Sequence, residues 1–184
     1  MRALSALIGE SLPENLDKLR EASEKIADAI QSGHKVLFFG NGGSAAEAQH
    51  FAAEFVNRMV MERPPLAALA LTTDSSVLTS IGNDRGFDDL FALQVRALGK
   101  KGDIAVGIST SGNSPNVIRA LELAGEMGIY RIGLAGRPEE RIGEVCELCF
   151  WVKSQSTARI QEIHLLIGHL ICEMVDLILF GEKS

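Results

Sequence analysis

The sequence predicts an α/β fold, a three-layer α/β/α sandwich built on a central parallel sheet of five strands. Two observations carry this prediction. Five apolar runs of strand length occur along the chain, and segments with apolar residues at helical spacing alternate with them. Because parallel strands need a crossover connection, usually a helix, this alternation is typical of a parallel sheet covered on both faces. The length of 184 residues fits a single domain over residues 1–184.

The order of the elements follows from local patterns. A long first helix is expected over residues 14–31, where apolar residues recur at helical spacing and Gly33 follows as a stop signal. The strands are expected to be short and fully buried, over residues 35–40, 66–71, 103–109, 130–136 and 147–152. Further helices are expected over residues 44–60, 89–98 and 116–128, with a long closing helix over residues 159–180.

The acidic balance of the chain limits its partners. The formal net charge is −6 and the sequence pI is about 5.3. Proteins that grip the phosphate backbone of nucleic acids do so through clustered lysines and arginines. We therefore expect no direct nucleic-acid partner.

The N-terminal segment and the cysteines indicate a cytoplasmic protein. Glu10 and Pro13 interrupt the first apolar stretch, so no signal peptide is indicated, and three cysteines fit a reducing compartment. Cys146 and Cys149 form a C-x-x-C, but "VCELCFWV" predicts a strand, in which positions three apart point to opposite faces. We therefore expect neither a metal nor a redox role for this pair.

The closing segment "RIQEIHLLIGHLICEMVDLILF" is apolar enough to raise the alternative of a membrane span. Glu162, Glu173 and Asp176 argue against that alternative, because acidic residues are costly in the centre of a bilayer. A helix that is apolar nearly all round is buried on all sides, and one small domain leaves little room for that. The segment therefore predicts the core of an oligomer rather than a membrane partner.

Two pairs of polar residues on helices could bind a metal. His50 and Glu54 lie four positions apart on one helical face, a spacing that suits a divalent cation but is common. Gln161 and His169 are about 12 Å apart along the closing helix and about 80° apart around it. A shared metal would need both side chains to bend toward one point, or ligands from different subunits. Either histidine of this helix, His164 included, could instead be an ordinary hydrogen-bonded core residue.

Two loops after predicted strands are rich in glycine and hydroxyl groups. The first is Asn41-Gly42-Gly43-Ser44, and the second is Ser109-Thr110-Ser111-Gly112-Asn113-Ser114, where Ser114 is the natural N-cap of the next helix. Glycine-rich turns and helix N-termini bind anions, and ligand crevices lie at the carboxyl ends of parallel strands. Neither loop is a Walker A or a G-x-G-x-x-G, so no nucleotide is implied. Either loop alone could be a capped turn, but both together predict a small phosphorylated ligand.

Four stretches carry a resemblance to a known family: "GNGGSAAEAQHFAAEF", "GND", "GISTSGNS" and "RIQEIHLLIGH". Together they resemble the sugar isomerase (SIS) domain, most closely that of the phosphoheptose isomerases, which convert sedoheptulose 7-phosphate to D-glycero-D-manno-heptose 7-phosphate. The resemblance covers nearly the whole chain. It implies an SIS-type fold and a cytoplasmic homotetramer with active sites at subunit boundaries. It also implies a first step in ADP- or GDP-heptose synthesis, for lipopolysaccharide or another glycan.

The resemblance further implies roles for individual residues. One zinc ion per subunit would be bound by His50, Glu54, Gln161 and His169. Substrate contacts would come from the two loops and their surroundings: Asn41, Gly42, Gly43, Glu54, Arg58, Asn83, Asp84, Ser109, Thr110, Ser111, Ser114 and Gln161. Glu54 would be the base that forms an enediolate and His169 its partner acid or base. A zinc-bound carboxylate is a poorer base, and the sequence leaves open whether Glu54 leaves the metal during turnover.

Two alternatives exist within the same fold. A non-enzymatic SIS branch binds the bacterial replication initiator, but it lacks the acidic residue of the His-x-x-x-Glu and the final histidine, which are Glu54 and His169 here. A sugar-phosphate-sensing SIS regulator would usually be joined to a DNA-binding domain, for which this chain is too short. We therefore expect an enzyme that acts on a sugar phosphate.

Overall fold

The computed structural model describes residues 2–137 and 140–181. Its helices and strands are, in chain order, α1 (Arg2–Gln31), β1 (Val36–Gly40), α2 (Gly43–Val56), β2 (Ala68–Ala70), α3 (Ser75–Asp84), α4 (Ala92–Leu98), β3 (Ile104–Ser109), α5 (Pro115–Glu126), β4 (Tyr130–Ala135), α6 (Ile142–Val145), β5 (Leu148–Trp151) and α7 (Thr157–Phe180). The five predicted strands and the long first and last helices are thereby confirmed.

The strands form one parallel sheet in the order β2-β1-β3-β4-β5. At the carboxyl end of the central pair, Gly40 of β1 is in register with Ile108 of β3. The loops that follow these two strands therefore leave the same edge of the sheet side by side. These are the two loops that the sequence marks as anion sites.

Alternate side chains of the strands supply two separate apolar layers. Phe38 of β1 packs into the layer that α1, α2 and α7 cover, whereas Phe39 packs into the layer covered by α4 and α5. Both rings are almost completely buried. The two-residue period of a strand thus divides one apolar run between two faces, which confirms the α/β/α sandwich.

Three helix predictions differ from the structure at their ends. α1 begins at Arg2 rather than at residue 14, and it continues through Pro13, with Leu7 before the proline and Leu19 after it packed into the core. α2 ends at Val56 rather than at residue 60, and the guanidinium group of Arg63 donates to the terminal carbonyl groups of Glu54 and Phe55. The segment 89–98 divides into a short 3₁₀ turn over 87–89 and α4.

Two helices were not predicted. α3 spans only ten residues and buries none of them fully, and Leu78 and Ile81, which pack half-buried against the apolar layer under α4 and α5, form a stripe too short to predict a helix. Its start has a local signal, because the Asp74 carboxylate accepts a hydrogen bond from the N–H of Val77 at 3.0 Å. α6 spans four residues, which is too short for any period to emerge.

Only one face of α7 is buried within the chain. Ile163, Ile167 and Val175 lie in the core, whereas the side chains of Leu177 and Ile178 are 55% and 44% exposed. Burial on all sides is therefore not achieved by a single chain. In the part of the chain that the structure describes, α7 is the one helix long and apolar enough to cross a membrane. Its buried face belongs to the core shared with α1 and α2.

Candidate functional site

α2 and α7 lie side by side and run in the same direction. At their amino ends the Gln161 amide group packs on Gly43, and farther along the ring of Phe51 packs on Gly168. A Cβ atom on Gly43 would lie 2.9 Å from Cδ of Gln161, and one on Gly168 would overlap the Phe51 ring. The two glycines therefore allow the two helices to approach closely.

This approach brings together three of the four predicted metal ligands. Nε2 of His50 lies 2.7 Å from Nε2 of His169 and 3.5 Å from Oε1 of Glu54. The two imidazole rings meet at an angle of 62° with their centroids 5.0 Å apart. Because all three residues belong to one chain, the wide spacing on α7 does not require ligands from different subunits for this group.

The three side chains fit a transition-metal ion by their chemistry and position. One ligand atom from each of His50, Glu54 and His169 lies within 4.8 Å of the others. Two imidazole nitrogens and a carboxylate are a donor set that zinc binds in enzymes. Gln161 lies two turns before His169 on the same helix, and its amide faces the first loop at Gly43. The His50 side chain is 42% exposed, so the group opens to the surface.

The second loop gathers three serine hydroxyls at the start of α5. Oγ of Ser109 lies 2.9 Å from Oγ of Ser114 and 3.4 Å from Oγ of Ser111. Ser114 occupies the N-cap position, as predicted, but its hydroxyl does not cap the helix. Gly112 provides the positive φ of 62° that the turn needs. The hydroxyls and the amino end of α5 therefore present donors to the same side of the loop.

A pair of asparagines joins the two loops. Nδ2 of Asn41 donates to Oδ1 of Asn116 at 2.8 Å, and Nδ2 of Asn116 donates to Oδ1 of Asn41 at 2.9 Å. Asn116 lies in the first turn of α5 and is buried. The first loop also contains Gly42, whose φ of 56° favours glycine. Sequence analysis missed Asn116, since no local pattern marks its partner 75 residues away.

Three other predicted substrate residues, Arg58, Asn83 and Asp84, have their partners outside the histidine cluster. Arg58 follows α2 and pairs with Glu62 at 2.8 Å. Asn83 donates a hydrogen bond of 2.7 Å to the neighbouring Asp84 at the end of α3, where both are exposed. No hydrogen bond or ion pair among the described residues joins these three to His50, Glu54 or the serine hydroxyls. Their predicted contacts with substrate remain predictions.

Two buried titratable groups flank the site. Glu47 lies on α2, one turn before His50, and burial raises the pKa of its carboxyl group to about 7, while the nearby Ser44 hydroxyl lowers it. His164 is fully buried on α7 and donates from Nε2 to the carbonyl oxygen of Ala135 at 3.3 Å. Burial lowers the pKa of His164 to about 4. His164 is therefore a hydrogen-bonded core residue, the alternative that the sequence left open for it.

The interpretation of the C-x-x-C was wrong in its geometry. Cys146 precedes β5 rather than lying in it, so the strand alternation does not apply. A Cβ atom on Gly133 would lie 3.1 Å from Sγ of Cys146 and 2.9 Å from Sγ of Cys149, so both thiols face the same point. Burial raises the pKa of both thiols, that of Cys149 to about 12. Such thiols are largely protonated near neutral pH.

Comparisons with known proteins show which family this chain resembles. The family model for the SIS domain matches residues 1–136. A phosphoheptose isomerase of Solidesulfovibrio magneticus is 59% identical over 159 residues, which cover 86% of this chain and 78% of that protein. Phosphoheptose isomerase 2 of Campylobacter jejuni is 51% identical over 181 residues, 97% of this chain and 90% of that protein. The solved phosphoheptose isomerase of Neisseria gonorrhoeae matches with a TM-score of 0.89 and 44% identity, covering 95% of this chain and 94% of that one.

Proposed function

The chain belongs to the phosphoheptose isomerases of the SIS-domain family, and from this premise we propose which of its residues carry the reaction. It is an isomerase that acts on a sugar phosphate. The alternative of a non-enzymatic SIS protein has no support among these relatives. The observation that supports our assignment most directly is the cluster of His50, Glu54 and His169 beside the loop at Gly43.

We propose that the substrate is sedoheptulose 7-phosphate and the product D-glycero-D-manno-heptose 7-phosphate. The serine hydroxyls of the second loop and the amino end of α5 would bind the phosphate, because they converge as hydrogen-bond donors. The adjacent first loop, fixed through Asn41 and Asn116, would orient the sugar hydroxyls. Asn83, Asp84, Thr110 and Arg58 complete the proposed set of substrate contacts.

We propose that Glu54 moves the proton in this isomerisation. A 2-ketose becomes an aldose when a proton leaves C1 and a proton returns to C2, through a cis-enediolate. The Glu54 carboxylate would take the proton from C1, and His169 would exchange a proton with the substrate oxygens. The carboxylate lies close enough to the His50 ring to be oriented by it.

The donor set fits one zinc ion per subunit, bound by His50, Glu54 and His169 with Gln161 as the proposed fourth ligand. When bound, a zinc ion supplies positive charge that polarises the carbonyl and hydroxyl groups of the substrate. Its ligands come from two helices, so the same ion would also hold α2 against α7.

The proposed assembly is a homotetramer in the cytoplasm, with residues 1–184 as a single SIS domain. The uncovered apolar stripe of α7, which includes Leu177 and Ile178, supports an interface between copies of the chain. The exposure of the His50 side chain supports a site that a neighbouring subunit completes. A first step in heptose synthesis for lipopolysaccharide or a related glycan is the corresponding proposed pathway.

Incubation of the purified protein with sedoheptulose 7-phosphate, followed by NMR in D₂O, tests this proposal. We expect the aldose phosphate to appear with deuterium at C2, because a proton that passes through a carboxylate exchanges with solvent. The unphosphorylated heptulose should react poorly, since it lacks the group that the second loop binds. A protein that converts neither sugar, with zinc added, would contradict the proposed substrate.

A further inference from the structure

Arg63 forms a buried cluster at the end of α2. Its Nε donates to Oδ1 of Asp176 on α7 at 2.8 Å, and the two side chains are 2% and 5% exposed. Its Nη2 donates to the carbonyl oxygen of Glu54 at 2.8 Å, and its Nη1 to that of Phe55 at 2.7 Å. Nη1 also lies within hydrogen-bonding distance of the carbonyl oxygens of Asn57 and Pro64.

This cluster joins the same two helices as the proposed metal group. Asp176 lies about two turns beyond His169 on α7 and on nearly the same face of that helix. The carbonyl group that accepts from Nη2 belongs to Glu54 itself. Arg63 therefore fixes the backbone of the residue that carries the proposed base, and it fixes that backbone to the helix that carries His169.

The chemistry of arginine suits this task. The last carbonyl groups of a helix have no partner within the helix and carry the negative end of its dipole. A planar guanidinium can donate to several of them in a fixed geometry while it pairs with a carboxylate, which an ammonium group cannot do. Since both charges are buried, each needs the other, and the spacing between α2 and α7 is fixed here by directional bonds rather than by packing alone.

We propose that Arg63 and Asp176 are positioning residues for Glu54, which hold its backbone at the distance from His169 that metal binding and proton transfer need. This inference rests on the proposed function. It does not make either residue a contact of the substrate, since both side chains are buried beneath the site.

The variants Asp176→Asn and Arg63→Lys test this inference in the full-length protein. Zinc affinity is measured by competition with a chromophoric chelator, kcat and KM with sedoheptulose 7-phosphate, and Tm by calorimetry. We expect Asp176→Asn to weaken zinc binding by about 10- to 100-fold, the usual effect of losing a group that orients metal ligands. We expect kcat to fall by at least about tenfold while KM stays within about twofold, because the serine loop is untouched.

Arg63→Lys keeps a positive charge opposite Asp176 but loses the fork between the two carbonyl groups. We expect it to retain a Tm closer to that of the wild type than Asp176→Asn does, and still to bind zinc more weakly. If Asp176→Asn does not fold, the zinc affinity of Arg63→Lys still tests the inference.

Asp103→Asn is the matched control, because Asp103 is a buried carboxylate that pairs with the partly exposed Lys35 at 2.5 Å, at the opposite end of the sheet. It should lower Tm without changing zinc affinity or kcat. If Asp176→Asn changes only Tm, as the control does, the pair is merely structural and our inference is wrong. If the wild type binds zinc but does not isomerise the heptulose, the proposed substrate is wrong. The zinc affinities of the wild type and the variants then still test the positioning role. If the wild type isomerises the sugar without binding zinc, the positioning role is tested by whether Asp176→Asn lowers kcat while KM stays constant.

Discussion

The proposed chemistry depends on the carboxylate group of Glu54. Replacement by glutamine keeps the size of the side chain and an oxygen that can face a cation, but an amide cannot accept the proton from C1. We expect Glu54→Gln to lower kcat by at least about 100-fold, the low end of general-base contributions, with an unchanged fold. NMR of the reaction measures the rate, and circular dichroism checks that the fold is unchanged. Turnover near the wild-type rate would place the base elsewhere, with Asp84 as the next candidate.

The serine hydroxyls of the second loop make a separate prediction about binding. Because Ser111 and Ser114 donate to the proposed phosphate and not to the reacting carbons, replacing both by alanine should raise KM more than it lowers kcat. Steady-state kinetics measure the two constants. Ser32→Ala, at the exposed end of α1, is the control and should change neither. An equal loss of kcat with KM unchanged would mean that the loop does not bind the phosphate.

Glu47 makes stability depend on pH. Its pKa is raised in the folded state to about 7, so the folded protein prefers the protonated form, and this group's contribution to stability is full below about pH 4.5 and is lost as pH rises to about 7. The loss amounts to at most about 3 kcal/mol. We expect Glu47→Gln to flatten the dependence on pH of the free energy of unfolding between pH 5 and 8. Urea titrations in the presence of a chelator measure it, and parallel curves for the two proteins would contradict this prediction.

Residues that act through neighbours close in sequence were predictable, and those that act through distant ones were not. The helical spacing of His50 and Glu54 placed them on one face, and the structure agrees. The contact between His50 and His169 joins residues 119 positions apart, so it follows only from the family resemblance or from the fold. The pair of Arg63 with Asp176 spans 113 positions and matches no local motif.

At the scale of elements, the strands were predictable because each is a short apolar run that is buried on both faces. Helices were predictable where a long apolar face is fully buried, as in α5, and missed where the face is short and only partly buried, as in α3. The pairing of α2 with α7 was not predictable from local patterns. It depends on the order of the strands in the sheet, which decides which helices lie next to each other on one face. Gly43 was predicted as part of an anion-binding loop and not for helix packing, and Gly168, whose missing side chain also permits that pairing, gave no signal in the sequence alone.

Gly168 is where this pairing is most easily disturbed. A methyl group there would lie 2.7 Å from Cδ1 of Phe51 and still closer to Cε1 and Cζ of the same ring. Overpacking costs typically about 1–3 kcal/mol, whereas alanine gains at most about 1 kcal/mol over glycine in a helix. We therefore expect Gly168→Ala to lower the free energy of unfolding and to weaken zinc binding, because His169 is the next residue.

Gly9→Ala in α1 is the matched control for that substitution. An added Cβ atom meets nothing within 4 Å there, so only the gain in helix propensity remains and the protein should become slightly more stable. Denaturant unfolding and chelator competition on both variants measure the difference. A Gly168→Ala protein as stable as Gly9→Ala would mean that Phe51 moves aside without cost.

At the scale of the whole molecule, the outer stripe of α7 predicts how the assembly depends on metal. Zinc that binds only the folded chain stabilises it, so chelation should lower Tm. The apolar stripe with Leu177 and Ile178 contains none of the ligands, so the proposed tetramer should survive chelation. Sedimentation velocity of the chelated protein measures this, and dissociation into monomers would mean that the metal holds the subunits together.

The contact between His50 and His169 also sets the earliest time at which a newly made chain could bind the proposed metal ion. At roughly 5–20 residues per second, the ribosome needs on the order of 10 seconds to add the 119 residues between the two. During that interval the nascent chain contains His50 and Glu54 but not yet His169. Binding of the proposed ion would therefore be among the last events of biogenesis, and any truncated product that ends before α7 would be released without a complete set of the proposed ligands.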